Sequence, residues 1–221
     1  MNIFIEVLSS HRMNRSLFIA FEGIDGSGKS SQVKLLAEKL QHAGHKVYLT
    51  LEPTNTHIGS ILLDVLRKRI KSDHRTIAAL FAADRLEHLL NETNGIIKKL
   101  EEGYTVITDR YYFSSYAYNG AHSDLDWVIE LNKMSAQLRR PDLNIFIDVP
   151  PEVCMQRINT NRAVTELFEK TDTLTKVRDK YFEAFDKLKN EEKIFIVNGN
   201  RTIPDIATDI WQKITTLYQS Q

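Results

Sequence analysis

The sequence predicts an α/β fold: a five-stranded parallel sheet with helices on both faces and a short lid segment. Three observations predict it. Short runs of apolar and β-branched residues alternate with longer helical patterns along the whole chain. The runs are nearly continuous, as in Ile145-Phe146-Ile147 and Ile194-Phe195-Ile196-Val197, which is how strands covered on both faces read. The stretches between them are long enough to be crossover helices.

The elements follow in order. Leu17-Phe18-Ile19-Ala20-Phe21 marks a strand over 16–22 that ends at a glycine-rich turn. Val33, Leu35, Leu36 and Leu40 then repeat at helical spacing and predict a helix over 29–43. Val47-Tyr48-Leu49 lies in a strand over 45–51, and helices are expected over 57–70 and 74–101. Val106-Ile107 places the third strand at 104–108, followed by a helix over 125–138. The fourth strand spans 143–149 and the next helix 151–160. Within 168–189, Leu174, Val177, Tyr181, Phe185 and Leu188 form an apolar stripe at three- and four-residue steps. A strand over 193–197 and a helix over 204–218 close the chain.

At 221 residues the chain suits one large domain, expected over 13–221. Residues 1–12 read as an extension of unassigned role, and Met13 stands just before the first core strand. The extension contains Ile3-Phe4-Ile5 but also Glu6 and no small-residue cleavage site, so a secretory signal is not expected. Lys+Arg and Asp+Glu both total 29, which leaves no global basic field for nucleic acid or an anionic membrane. No apolar run reaches the length of a membrane span. A single cysteine, Cys154, cannot form an internal disulfide, and a reducing, cytoplasmic setting is expected.

The first strand runs into Gly23-Ile24-Asp25-Gly26-Ser27-Gly28-Lys29-Ser30, a complete G-x-x-x-x-G-K-[ST] phosphate loop. Strand, glycine loop and helix is the context that gives this motif its chemistry. Glycines let backbone N–H groups converge on a phosphate, and the helix start adds partial positive charge. Lys29 is expected on the β- and γ-phosphates, the Ser30 hydroxyl on Mg²⁺, and Ser31 beside them. The motif implies a bound nucleoside triphosphate.

In a parallel sheet, ligands bind beyond the carboxyl ends of the strands. Asp109-Arg110 ends the third strand there, an acid for Mg²⁺ and a guanidinium fork for phosphate. A structural ion pair is the plainer reading of the same two residues. Asp25 sits among the loop glycines, where a carboxylate near polyanions calls for a metal, an arginine or an acceptor to serve. Stabilising the loop turn is its alternative role. Phe81 and Arg85 lie one helical turn apart, a pairing able to stack on a base and bond its edge, or simply a core aromatic beside a solvated arginine. Arg157 and Arg162 fall in a polar segment with Asn159, Thr160 and Asn161, a candidate lid over about 157–169 or a plain solvated loop. His42 and His45 straddle Gly44 and read as surface residues. Asn132-Lys133-Met134-Ser135 lacks the acid of a guanine-reading N-K-x-D motif.

Together these pieces resemble the thymidylate kinase family, from about Ser16 to the last helix. The carriers are the phosphate loop with Ser31-Gln32, Glu52-Pro53-Thr54 and Leu80-Phe81-Ala82-Ala83-Asp84-Arg85. Asp109-Arg110-Tyr111-Tyr112-Phe113-Ser114-Ser115-Tyr116-Ala117-Tyr118 and Arg140-Pro141-Asp142-Leu143 complete the series. The resemblance implies a P-loop kinase fold, transfer of the γ-phosphate of ATP to dTMP, Mg²⁺, and a homodimer. It implies that Phe81 stacks on thymine, Arg85 bonds its edge, Arg110 grips the acceptor phosphate and Asp109 joins the metal network. Asp25 would orient dTMP, Tyr118 would pack under the sugar, and Glu52, Pro53 and Ser114 would belong to the acceptor site. Members of the family carry a catalytic arginine in the phosphate loop or in the lid. Gly26 occupies the loop position, so Arg157 and Arg162 are the candidates. Leu51 stands where many members have arginine, and Asn119 follows Tyr118 where many have glutamine. A kinase for another monophosphate and a non-catalytic nucleotide-binding switch are the alternative readings.

Overall fold

A computed structural model describes residues 15–161 and 171–219 of the chain. The extension expected at 1–12, the part of the lid from 162 onward, and Arg162 itself lie outside the described residues.

The strands are β1 (Phe18–Glu22), β2 (Val47–Leu51), β3 (Thr105–Asp109), β4 (Leu143–Asp148) and β5 (Ile194–Asn198). They form one all-parallel sheet in the order β2-β3-β1-β4-β5. The helices are α1 (Lys29–His42), α2 (His57–Leu66), α3 (His74–Leu90), α4 (Ile96–Glu101), α5 (Tyr112–Tyr118), α6 (Leu125–Leu131), α7 (Lys133–Leu138), α8 (Pro151–Asn161), α9 (Thr171–Leu188) and α10 (Ile203–Gln219). Every residue of β1 is buried, and successive strand side chains point to opposite faces, so helices cover the central sheet on both sides. On β4, Phe146 packs against Tyr181, Phe182 and Phe185 of α9. The apolar stripe expected on α9 is the face it buries, with Leu174, Val177, Tyr181 and Phe185 inside.

Three local expectations are corrected. The stretch 74–101 is two helices, because Asn91 turns outward at the end of α3 and its Oδ1 accepts from the N–H groups of Thr93 and Asn94. The stretch 125–138 breaks at Asn132, which is fully buried and bonds the Val128 carbonyl through its own amide. The helix expected over 57–70 stops at Leu66, and Lys68 beyond it has a φ of 61°. α5 carries the chain from the Asp109-Arg110 corner to Tyr118. β2, at the sheet edge, is only half-buried, with Leu49 and Leu51 exposed.

The sheet order matters for the site. β1 lies in the middle, and the chain leaves it toward β2 on one side and later places β4 on the other. The loop leaving β1 therefore opens into the crevice flanked by the ends of β3 and β4.

Candidate active site

The loop between β1 and α1 is built to face an anion. Gly28 caps α1 with a φ of 92° and supplies no side-chain cap, so no side chain competes for the first N–H groups of the helix. Gly26 has a φ of 79°, and a Cβ there would lie 2.6 Å from the carbonyl oxygen of Cys154 on α8. Only glycine fits, because the backbone is left-handed and the neighbouring chain is in contact. Ile24 points into the core, and its carbonyl, with that of Gly23, accepts from Lys29 Nζ at 3.0 Å each. Burial, with help from Arg110, pushes the Lys29 ammonium down to about 8, although Asp109, Asp25 and Glu22 act to hold it up.

This loop floors a cleft of about 700 Å³ that also takes in Asp109 and Arg110 from the β3 end. Arg157 and Ile158 of α8, Gly199, Arg201 and Ile203 near the end of β5, and Leu51 and Glu52 at the end of β2 also line it. Ser30 Oγ donates to Asp109 Oδ2 at 2.6 Å, which brings together the two oxygen ligands the sequence nominated. Two hard oxygens beside a phosphate loop suit Mg²⁺, which takes few protein ligands and fills its octahedron with phosphate and water oxygens. Among the described residues no group of three His, Cys, Asp or Glu could hold a metal alone.

Arg110 stands at the centre. Its backbone is left-handed, with φ at 74°, an uncommon conformation for a side chain of its size. Its Nη1 donates to the Gly23 carbonyl at 3.0 Å and to Ser114 Oγ at 2.9 Å. Its Nη2 donates to Asp25 Oδ1 at 2.6 Å and to Tyr118 OH at 3.2 Å, and the guanidinium lies 4.8 Å from the Tyr118 ring centroid. Tyr118 OH donates in turn to Asp25 Oδ2 at 3.0 Å. Burial alone would raise the Asp25 carboxyl, but Arg110, Lys29 and the Tyr118 bond together hold it below the usual carboxylate range.

A second, smaller cavity of about 140 Å³ opens on the far side of Arg110. Pro53, Leu63, Leu66 and Phe81 give it apolar walls, and Ser114, Ser115, Tyr118 and Asn119 give it a polar one. Asp25 and Arg110 line both cavities. Two ligand spaces of unequal size therefore meet at a phosphate loop and a guanidinium fork.

The profile of the family described as thymidylate kinase matches residues 21–210. The chain belongs to the thymidylate kinase family. Relatives agree with the match. The probable thymidylate kinase of Thermococcus gammatolerans is 39% identical over 204 residues, covering 88% of this chain and 93% of that one. The corresponding protein of Pyrococcus horikoshii is 39% identical over 205 residues, 89% of this chain and 94% of its own. A putative thymidylate kinase of Treponema pallidum is 40% identical over 173 residues, 78% of this chain and 81% of its own. The family's reaction is phosphorylation of dTMP, so the protein is a nucleoside monophosphate kinase.

Against that thymidylate kinase background, Asp25, Pro53, Phe81, Arg110, Ser114 and Tyr118 converge on the smaller cavity. Gly26, Ser27, Gly28, Lys29, Ser30, Ser31 and Asp109 converge on the larger. Gly23 acts through its carbonyl. Arg85 departs from the expectation. It shares a helix with Phe81 but is 1% exposed, and it is not in the lining of the smaller cavity. Its Nε and Nη2 grip Glu52 Oε2 at 2.9 and 2.6 Å, and its Nη1 donates to Ser115 at 3.1 Å and to Asn132. Glu52, with His88 on its other oxygen at 3.1 Å, is thereby a buried anchor under the corner that presents Pro53. Asp84 secures the same corner by accepting from Thr54 N–H and the Thr54 and Thr56 hydroxyls.

Sequence reasoning missed Glu22 and Tyr181. Glu22 is a carboxylate at the end of a strand that is otherwise apolar, and that contrast was the signal available. Tyr181 sat inside an apolar stripe, where nothing marked its hydroxyl.

Proposed function

We propose that this kinase takes ATP as donor in the larger cleft and dTMP as acceptor in the smaller one, with Mg²⁺ between Ser30 and Asp109. The carrying observation is that Asp25 and Arg110 line both cavities, so an acceptor phosphate at Arg110 faces the phosphate loop. In-line transfer needs the attacking oxygen, the phosphorus and the leaving oxygen aligned, with charge neutralised around them. Arg110 supplies the fork for the acceptor phosphate. Asp25 and Tyr118 fix the plane of that fork. Lys29, held at the loop carbonyls, would turn to the β- and γ-phosphates on binding. Bound Mg²⁺ adds charge neutralisation across the phosphate oxygens.

Arg157 carries the catalytic guanidinium in this reading. Its Nη1 lies 3.5 and 3.4 Å from the carbonyls of Gly26 and Ser27, over the loop that would hold the transferring phosphate. The space at Gly26 cannot accept an arginine, which favours a lid source. Arg162, outside the described residues, remains the second candidate.

Base choice follows from the smaller cavity. Phe81 gives a stacking plane. Asn119 is 2% exposed and its Oδ1 has no hydrogen-bond partner among the described residues. The carboxamide offers an acceptor oxygen for the N3–H of thymine. Arg85 acts from behind Ser115 rather than at the base edge.

The reading extends to a homodimer in the cytoplasm, and to residues 13–221 as the working domain. Among the described residues no helix is long and apolar enough to cross a membrane. Sedimentation of the purified chain tests the dimer.

The function is tested by turnover with Mg²⁺, ATP and a panel of monophosphates. Formation of dTDP and ADP in equal amounts, with dTMP preferred over dCMP and dGMP, is the expected result. ATP hydrolysis without transfer, or preference for another acceptor, would overturn it.

A further inference from the structure

Glu22 is 0% exposed, and among the described residues it forms no ion pair. Three neutral donors converge on it. The Tyr111 N–H reaches Oε1 at 2.9 Å, while the Ser114 and Tyr181 hydroxyls reach Oε2 at 2.6 and 3.0 Å. The same two hydroxyls face Arg110 Nη1, at 2.9 Å for Ser114 and 3.4 Å for Tyr181, and lie 2.9 Å from each other. A hydroxyl has one hydrogen and two lone pairs. With both hydrogens turned inward to an ionised Glu22, the lone pairs of Ser114 and Tyr181 are left to the guanidinium.

We propose that Glu22 is the positioning residue of the acceptor-phosphate grip: it orients the Ser114 and Tyr181 hydroxyls as acceptors, and these hold Nη1 of Arg110 in place. The inference rests on the reading of Arg110 as that grip. It explains why a carboxylate is kept in the core of β1 with neutral donors as its direct partners. A glutamine of the same shape cannot do the work. With its oxygen on the Tyr111 N–H, its NH₂ donates to the two hydroxyls and frees their hydrogens to turn toward Arg110 Nη1, so their orientation as acceptors is lost.

Among the described residues, Glu22 feels the charge of Arg110 at the β3 corner and of Lys29 on α1, and it accepts from the Tyr111 N–H and the Tyr181 hydroxyl of α9. Burial pushes the Glu22 carboxyl up to about 7, against the pull of Ser114, Arg110, Tyr111 and Tyr181. The oriented form is therefore gained as pH rises through neutrality.

The test compares Glu22→Gln, Tyr181→Phe and the wild type in steady-state kinetics with dTMP and ATP. Tyr112→Phe is the control, because it also removes a buried hydroxyl, one that bonds Glu192 and not the Arg110 network. Glu22→Gln should raise KM for dTMP about tenfold and Tyr181→Phe severalfold, with KM for ATP nearly unchanged and Tyr112→Phe close to wild type. The ratio of wild-type to Glu22→Gln kcat/KM for dTMP should grow from about pH 6 to about pH 7.5. The titration of the substrate phosphate cancels in the ratio. If Glu22→Gln does not fold, Tyr181→Phe alone decides through its KM split. Unchanged KM for dTMP in the folded variants, or equal losses for both substrates with a flat pH ratio, would overturn the proposal. Should another monophosphate prove the better acceptor, the same comparison with that acceptor decides, because the grip concerns the phosphate and not the base.

Discussion

Arg110 Nη2 and Asp25 Oδ1 meet at 2.6 Å on the wall shared by the two cavities. The pair is partly open, with side chains 16% and 28% exposed, so a phosphate can reach the guanidinium without unfolding anything. Arg110→Lys keeps the charge and loses the fork that bonds Gly23, Ser114, Asp25 and Tyr118 together. The expected loss in kcat/KM for dTMP is on the order of a hundredfold to a thousandfold. KM for ATP should change by only a few-fold. Steady-state kinetics with each substrate varied checks this, and a small effect on dTMP would place the phosphate elsewhere.

Gly26 is the tightest point of the phosphate loop. Gly26→Ala puts a Cβ 2.6 Å from the Cys154 carbonyl in a backbone with φ at 79°. Strain of this kind costs about 1–3 kcal/mol, and it falls on the loop that holds the donor. The variant should lose most ATP affinity, as calorimetric titration will read, with a smaller drop in melting temperature. Arg157→Ala removes the guanidinium that rests on the Gly26 and Ser27 carbonyls but puts no strain into the loop backbone. It should lower kcat strongly while KM for dTMP stays within a few-fold, and an unchanged kcat would assign the catalytic guanidinium to another residue.

Phe81 lines the smaller cavity, where the proposed acceptor base would stack on it. A base–aromatic stack is worth about 1–3 kcal/mol in nucleic-acid complexes. Phe81→Ala should weaken dTMP binding by roughly tenfold or more and leave ATP binding intact. Equilibrium titration with each nucleotide separately gives the answer. Equal weakening of both would mean a general packing defect.

Much of this was legible in the sequence because it depends on local pattern. The five strands came from continuous apolar runs, and the strand–loop–helix placement of Gly23 to Ser30 is a local signature. The corner Asp109-Arg110 was found because strand ends in parallel sheets face the ligand. What stayed hidden depends on long-range geometry. Arg85 and Phe81 share a helix, yet only tertiary packing tells that Glu52 draws Arg85 inward. Glu22 and Tyr181 are 159 residues apart, and no period or spacing links them. The break at Asn132 follows from a buried amide bonding Val128 and receiving Arg85, which a helical apolar pattern does not disclose.

The buried Glu22 also shapes stability. Its carboxyl is raised from 4.5 to about 7, so its contribution is fully present below about pH 4.5 and is lost as pH rises through 7. The loss is on the order of a few kcal/mol. Glutamine cannot ionise and escapes it. The melting temperature of Glu22→Gln relative to wild type should therefore shift upward by several degrees between about pH 5 and about pH 8. Thermal melts of both proteins across that range check the sign, and a relative shift downward would mean that Glu22 is stabilised by ionising.

The central claim is that donor and acceptor occupy two cavities joined at Asp25 and Arg110. A probe with adenosine and thymidine linked through a polyphosphate chain spans both cavities at once. Inhibition by this probe, measured with ATP and dTMP varied in turn, tests the claim most directly. The account predicts competition against both substrates, one probe bound per chain, and affinity well above that of either nucleotide. Competition against only one substrate, or two probes bound per chain, would contradict it.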